Sequence, residues 1–387
     1  IMPRNRVIYQ SEGLYVSNVA SSGSAESHEQ LNRIQSANYS FTINRQDVNQ
    51  FGDLARIDSL VLEPPTVSLD FSYYLTDGFN ERALGFFVEH SGVKANSQRF
   101  ANADTNTSGN FASGHLVSSS GSNFFIVTSP DGQDLNKDPG VALDGNDTVI
   151  GVGNCYISDY GIELAVGSLP TVNVTVEGAN MNSAPYYAGG FASPAVDQAD
   201  GSKYVTTTIT LPDPTENGGI ASKNGPITAL RPGDVTLDLS NVDGESLVKL
   251  DGTDGAHIQS ASISLPLSRT PIDRLGSRFP FAREVDFPVT ATMSISAIVA
   301  TAQSANLADL LNSGVQKATI LVKDHSTPST DAIEFTMKGL KIDSQSFSSS
   351  IGSNKTVDLT FSTQIGGPND TANGVFMSGA GFSPVFE

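Results

Sequence analysis

The stretch that decides the fold is residues 31–78, LNRIQSANYSFTINRQDVNQFGDLARIDSLVLEPPTVSLDFSYYLTDG, because much of it recurs later in the chain. When Ile34 is set against Ile258, residues 34–74 align without a gap to residues 258–298, with 11 identities over 41 positions at an offset of 224. Arginine, glycine and proline keep their register: Arg45 meets Arg269, Gly52 meets Gly276 and Pro64 meets Pro288. Agreement of this length predicts two tandem copies of one fold.

A second block of similarity follows in the same order, at an offset of 185. Gly167 meets Gly352, and Thr171-Val172 meets Thr356-Val357. The offset falls by 39 between the blocks, so the first copy carries about that many extra residues. We place them in a long surface loop at about 89–122, which is rich in Ser, Asn, Gly and Ala. The predicted domains are residues 1–195 and 200–387, with Asn182–Asp200 as a linker.

The pattern of apolar residues predicts a mostly β chain with two copies of a β-barrel or β-sandwich domain, each with a short helix. Alternation of polar and apolar residues is clean in Thr171–Glu177, as expected of a half-buried strand. Short helices are predicted at Gly78–Gly85 and Asn306–Asn312. Further strands are predicted at Ile34–Ile43, Val67–Leu75, Val149–Ile157, Ile258–Leu267, Val289–Val299, Ile333–Lys338 and Thr356–Ser362.

Charge and cysteine content restrict the function classes. The chain has 22 Lys and Arg against 41 Asp and Glu, a formal net charge of −19, and both halves are acidic. A surface that binds nucleic acid needs clustered basic residues, and this sequence has no such cluster. The single cysteine, Cys155, excludes an internal disulfide. We find no signal-peptide pattern and no apolar run long enough to cross a membrane.

Motifs that carry chemistry are missing, so we predict no enzyme activity, no catalytic residue, no cofactor and no metal. None of the five histidines has the spacing of a zinc motif, and Gly151-Val152-Gly153 departs from the dinucleotide fingerprint. Asp134–Gly140 resembles a calcium loop, but its glycine comes one place late, which favours an Asx-rich turn. Cys155 lies in an apolar strand and is predicted to be a buried small residue.

The segments we select as subunit contacts are Arg45–Asp53 and its counterpart Arg269–Ser277, each of which follows a strand and carries one apolar residue and a glycine. In the functional interpretation they dock on a neighbouring subunit, where the arginines pair with carboxylates. The alternative is an ordinary connection between a strand and a turn. The candidate interface residues are Arg45, Gln46, Phe51, Gly52, Arg269, Leu275 and Gly276.

Residues 31–78, together with Met2–Asn18 (MPRNRVIYQSEGLYVSN) and Ala229–Val235 (ALRPGDV), resemble the tail tube (major tail) proteins of long-tailed bacteriophages. The resemblance covers about the first 85 residues directly, and the rest through the duplication. It implies compact β domains that stack as rings into a hollow tube. A tandem-duplicated member of that family implies trimers with pseudo-sixfold symmetry.

The expected function is therefore a structural virion protein of the tail, assembled in the host cytoplasm. Its partners would be other copies of itself and other tail proteins: the tape measure, the terminator, and the baseplate or sheath. Viral DNA would pass through the lumen without specific binding, and no membrane is involved. Two alternatives stay open: a secreted or surface β-sandwich that binds carbohydrate, and another virion component such as a decoration or capsid protein. An enzyme on a β scaffold ranks third.

Overall fold

The computed structural model describes residues 11–17, 28–76, 78–90, 112, 115–116, 121–130, 134–135, 142–187, 189–197, 205–214, 230–238, 257–299, 316–323, 331–367, 370 and 372–379. Most of these residues lie in antiparallel strands, and ten strands follow one another across a single large sheet. The predicted mostly β fold class is confirmed.

The first half of the chain contributes twelve strands and one short helix among the described residues. They are β1 (Glu12–Ser17), β2 (His28–Gln30), β3 (Ile34–Thr42), β4 (Arg45–Val48), β5 (Asp58–Val61), β6 (Thr66–Tyr74), α1 (Phe79–Ala83), β7 (Glu89–His90), β8 (Ser122–Thr128), β9 (Thr148–Ala165), β10 (Thr171–Gly178), β11 (Asn180–Pro185) and β12 (Phe191–Ala192).

The second half contributes ten described strands and a single 3-10 turn at Pro232–Asp234. The strands are β13 (Thr208–Ile209), β14 (Val235–Asp238), β15 (His257–Pro266), β16 (Arg269–Ile272), β17 (Ala282–Val285), β18 (Thr290–Ile298), β19 (Gln316–Lys323), β20 (Asp331–Ser348), β21 (Thr356–Gln364) and β22 (Gly374–Gly379).

Period-two alternation explains the central strands. In β10, Val172, Val174 and Val176 are buried while the residues between them are more exposed. Strand β6 buries Leu69 and Phe71 in the same way. Because alternate side chains of a strand point to opposite sides, each of these strands has one apolar face for the core and one polar face.

The centre of the sheet is eight strands wide, in the order β20-β21-β18-β15-β9-β10-β6-β3. It consists of two four-stranded halves with the same order, since β15, β18, β20 and β21 correspond to β3, β6, β9 and β10. Matching bulges follow Ile34 and Ile258, and the long strands β9 and β20 are also bulged at matching positions. The hairpins β4–β5 and β16–β17 interrupt the two halves at the same place. A duplicated gene would produce this correspondence.

Strands β9 and β20 are much longer than the predicted Val149–Ile157 and Ile333–Lys338, because each kinks and continues into a second sheet. The kinks lie at Asn154 and Gly339, whose φ angles of 52° and 75° are left-handed. Asn154 is held there by its side chain, which accepts a hydrogen bond from the Val196 amide at 2.6 Å. The first part of β9 pairs with β8 and β11, and the first part of β20 pairs with β19 and β22.

Two apolar cores result from this layering. The larger core runs through both halves, between the eight-stranded sheet and the outer strands. A smaller core lies on the other side of β8, where Phe125 and Tyr15 pack with Phe191 and Ile209. The segment predicted as a linker therefore packs against the fold in its described part, because Phe191, Ala195 and Val196 in it are buried.

The predicted helix at Gly78–Gly85 is observed as α1, whereas Asn306–Asn312 lies outside the described residues. Of the predicted surface loop at about 89–122, β7 pairs in parallel with β22, and Ala112 is buried. The start of this predicted loop thus reaches β22, an outer strand from the second half of the chain. Among the described residues, no helix combines the length and apolar character needed to cross a bilayer.

Candidate functional site

The polar face of the eight-stranded sheet is an extended surface of small hydroxyl and acidic side chains. The strand registers place on it Ser36, Asn38, Ser40, Thr42, Thr66, Ser68, Asp70, Ser72, Asp159, Glu163, Asn173, Thr175, Glu177, Ser260, Ser262, Ser264, Thr290, Thr292, Ser294, Ser296, Ser344, Ser346, Ser348, Thr356, Asp358, Thr360 and Ser362. Serines also bond across strands, as Ser36 Oγ and Ser72 Oγ do at 2.7 Å.

The charge on this face is negative. Five carboxylates lie on it: Asp70, Asp159, Glu163, Glu177 and Asp358. Among the described positions of the face the basic residue is Lys341, on the outermost strand. Partial burial raises the pKa of Asp159. The negative potential of this face repels phosphate and other anions.

The two halves of the sheet join through β15 and β9, which pair antiparallel from Ser260 opposite Ala165 to Pro266 opposite Asp159. On the core side of this join, Ile263 lies opposite Ile162, and both are buried. The hairpin β16–β17 adds to it, since Arg283 Nη1 lies 3.4 Å from Glu177 Oε2.

The outer edges of the sheet are β3 and the last part of β20, and neither has a further partner strand among the described residues. Strand β3 occupies the position of β15 but is uncovered. Its core-side residues Tyr39 and Phe41, and Ile43 just beyond its end, are 37%, 57% and 39% exposed. Their counterparts Ile263, Leu265 and Leu267 are 2%, 1% and 1% exposed. The same apolar pattern is therefore buried at the internal join and open at the outer edge.

The β20 edge shows the same difference. Phe347 lies opposite Val357 on the core side and is 45% exposed, while its counterpart Ile162 is 1% exposed. Beyond it, Ile351 in the turn to β21 is fully exposed. Tyr39, Phe41 and Phe347 are thus exposed at an outer edge while their counterparts at the internal join are buried. Ile351 does not show this difference, since its counterpart Val166 is 69% exposed as well.

The sequence-predicted interface residues lie on the two hairpins, which project from the same end of the sheet. Phe51 and Leu275 are fully exposed at the tips, beside Gly52 and Gly276 with left-handed φ angles of 100° and 87°. Such angles suit glycine because it has no Cβ. Arg45 and Gln46 are exposed at the base of the first hairpin.

Arg269 makes three contacts inside the chain. Its guanidinium donates to the backbone carbonyls of Arg283 and His115 and lies 4.7 Å from the Tyr156 ring centroid. His115 lies in the stretch predicted as a surface loop, so Arg269 links that stretch to the hairpin β16–β17. Burial and then the Arg269 charge lower the pKa of His115 to about 3.

A buried polar cluster escaped the sequence analysis. Glu81 Oε1 accepts hydrogen bonds from Tyr73 Oη at 2.8 Å and from Tyr160 Oη at 3.1 Å. Burial and then the charge of Glu81 raise the pKa of both tyrosines. The available signal was weak: Tyr73 occupies an apolar position of β6, where a buried hydroxyl group needs a partner. The cluster binds α1 to the sheet.

No group of three or more His, Cys, Asp or Glu side chains in the described ranges is arranged to hold a metal ion. Of the calcium-like stretch Asp134–Gly140, the structure describes Asp134, which is exposed, and Leu135, which is buried. Cys155 is buried as predicted, and burial raises the pKa of its thiol.

Comparisons with known proteins add little to this description. No protein family matches the sequence, and no curated protein matches it. Among solved structures, the chain is similar to a type VI secretion system effector from Yersinia pestis, with 13% identity over 38% of this chain and 100% of that chain. The TM-score is 0.19, which is too low to support any statement about fold or function.

Proposed function

We propose that this chain is a structural virion protein, a subunit of a bacteriophage tail tube that assembles into trimeric, pseudo-hexameric rings. The rings stack into a tube that conducts DNA during ejection. The observation that carries this proposal is the head-to-tail join of the two half-sheets. It leaves one copy of each joining edge, β3 and β20, open at opposite sides of the same chain.

An interface whose two sides differ can repeat indefinitely, and it closes into a ring when the rotation per unit allows. In this chain the interface is already used once, between β15 and β9. Using it again between chains would bring β3 of one chain against β20 of the next. Three chains contribute six units, which is the number that the resemblance to duplicated tail tube proteins implies.

The polar face suits the wall of a DNA conduit. Its five carboxylates outnumber Lys341 and Arg283, the arginine that pairs with Glu177, so the face is net negative. DNA carries about one negative charge per 1.7 Å of its length, so the two surfaces repel. Screening over about 8 Å at physiological salt confines this repulsion to the region near the wall. DNA would therefore pass without binding, and other tail proteins (tape measure, terminator, baseplate or sheath) would meet the ends of the tube.

Negative-stain electron microscopy of the purified chain over a range of concentrations tests the proposal. We expect rings of three chains, stacked rings or long tubes, with a mass per ring of three chains by native mass spectrometry. A protein that stays a single chain at all concentrations, with no ring or tube in the micrographs or in virus particles, would rule out this function.

A further inference from the structure

The join inside the chain is a detailed template for a join between chains. Strand β15 meets β9 with Ser262 opposite Glu163, Ile263 opposite Ile162 and Ser264 opposite Gly161. Both halves carry the bulges at the same positions, so each residue of this join has one counterpart at an outer edge. The counterpart of a β15 residue is found by subtracting 224 from its residue number, and the counterpart of a β9 residue by adding 185.

We propose that β3 of one chain pairs antiparallel with residues 344–350 of a second copy of this chain, with Tyr39 directly opposite Phe347. Asn38 then lies opposite Ser348, and Ser40 lies opposite Ser346. Because this pairing is what would close the ring, it rests on the proposed function and specifies the residues of its subunit contact.

Exposure identifies a second copy as the occupant. The core-side residues of β3 and β20 are open only where no counterpart strand lies beside them, and the same positions are buried where β15 meets β9. Tyr39 and Phe347 both belong to the core side, so the new pair would be aromatic on aromatic. Aromatic pairs directly opposite each other are among the stabilising cross-strand contacts.

The polar side of the proposed join is also compatible. It would bring together Ser36, Asn38, Ser40 and Thr42 with Ser344, Ser346, Ser348 and Ser350, none of which is charged. No like charges therefore meet in the strand pairing. The serines of the two paired strands would also continue the polar face across the join.

The hairpin contacts of the internal join do not transfer. Arg283 and Glu177 correspond to Ser59 and Ser362, and Tyr156 corresponds to Lys341. The join between chains thus depends on strand pairing and apolar contact and lacks this ion pair. Arg45 would lie near Lys341 here, so any carboxylate partner of Arg45 has to lie elsewhere.

A complementation experiment tests the two-sided nature of the join. The variants Y39K and F347K each block one edge with a charge, because a lysine on an edge strand disfavours pairing. Each variant alone should stay a single chain at concentrations where the wild type assembles. An equimolar mixture should form a one-to-one dimer in sedimentation velocity and native mass spectrometry, because each variant keeps the edge that the other lacks. Assembly of either variant alone, or no dimer on mixing two folded variants, would overturn the proposal.

Cysteine cross-linking tests the register without relying on those variants. Two double variants are in register, S40C with S346C and F41C with Q345C. They lie in adjacent rows, so one of them is a non-hydrogen-bonded pair, whose Cβ atoms approach to disulfide distance. The matched control is S40C with S350C, displaced by four residues or about 13 Å. Cys155 is buried and should not compete.

We expect disulfide-linked dimers and trimers on non-reducing gels from an in-register pair, at least tenfold above the control. Equal cross-linking in the control, or no in-register link in an assembled sample, would show that the register is wrong. If rings or tubes form without the in-register link, the register fails and the tube function stands. If the link and the mixed dimer form but no rings or tubes ever do, the join stands and the tube function fails.

Discussion

Phe41 and Leu265 occupy the same position in the two halves of the sheet, and replacing each with serine should have opposite consequences. Leu265 is 1% exposed, whereas Phe41 is 57% exposed. Leu265→Ser removes a core side chain and should lower the free energy of unfolding by roughly 3–5 kcal/mol. Phe41→Ser should change the stability of the single chain far less, since more than half of the ring already contacts water.

Phe41→Ser should instead weaken the association between chains. A phenylalanine can bury about 200 Å², so just over half of that, roughly 115 Å², remains for a neighbouring chain to cover. At about 25 cal/mol per Å², covering it stabilises each join by at most about 3 kcal/mol. That corresponds to a loss of about 100-fold in the association constant per join.

Two measurements separate these effects. Urea unfolding at a concentration below assembly gives the stability of the single chain, and sedimentation velocity against concentration gives the association constant. The reasoning is refuted if Phe41→Ser assembles like the wild type. It is equally refuted if Phe41→Ser destabilises the single chain as much as Leu265→Ser does, because β3 would then not be an open edge.

Three further predictions concern the polar face and the interior. The double variant D70K/D358K replaces two negative charges on the polar face with two positive ones, a change of +4 per chain, so assembled protein should co-sediment with DNA at low salt and release it at high salt, unlike the wild type. Burial and the Glu81 charge raise the pKa of Tyr160 in the folded chain, while an unfolded tyrosine ionises near about pH 10. The stability present below about pH 10 should therefore fall as the pH rises further, and less steeply in Tyr160→Phe, as urea midpoints between about pH 9 and 11 would show. Asn154→Ala loses the hydrogen bond from Val196 at 2.6 Å and forces alanine to a φ of 52°, so we expect a loss of about 2–4 kcal/mol in urea unfolding. Asn154→Gly should recover only the part of that loss that comes from backbone strain, because glycine adopts the left-handed conformation but lacks the side-chain hydrogen bond.

The strands of the eight-stranded sheet were largely predictable because their signal is local. Val172, Val174 and Val176 alternate with polar residues, and this period is enough to place β10 and its buried face. The hairpin tips were predictable for a similar reason, since Gly52 and Gly276 supply the left-handed backbone that a tight turn requires.

The lengths of β9 and β20 were not predictable from the same rule. Each strand crosses from one sheet to another at a left-handed residue, and the faces that are buried change there. Asn154 can adopt that conformation because Val196, far along the chain, bonds to its side chain. Glu81 is a similar case, because a carboxylate in a five-residue helix gives no sign that Tyr73 and Tyr160 enclose it.

By itself, the sequence predicted the repetition, the register between its two proposed copies and the apolar stripe on each strand. The apolar stripe depends on a residue and its near neighbours and shows as a period of two. The repetition shows as a constant offset between similar residues. Only the tertiary structure decided that β15 meets β9 and that β3 meets no strand of its own chain among the described residues. Phe41 and Leu265 have matching sequence patterns and opposite burial, because burial depends on which strand lies alongside, and that strand is distant in sequence.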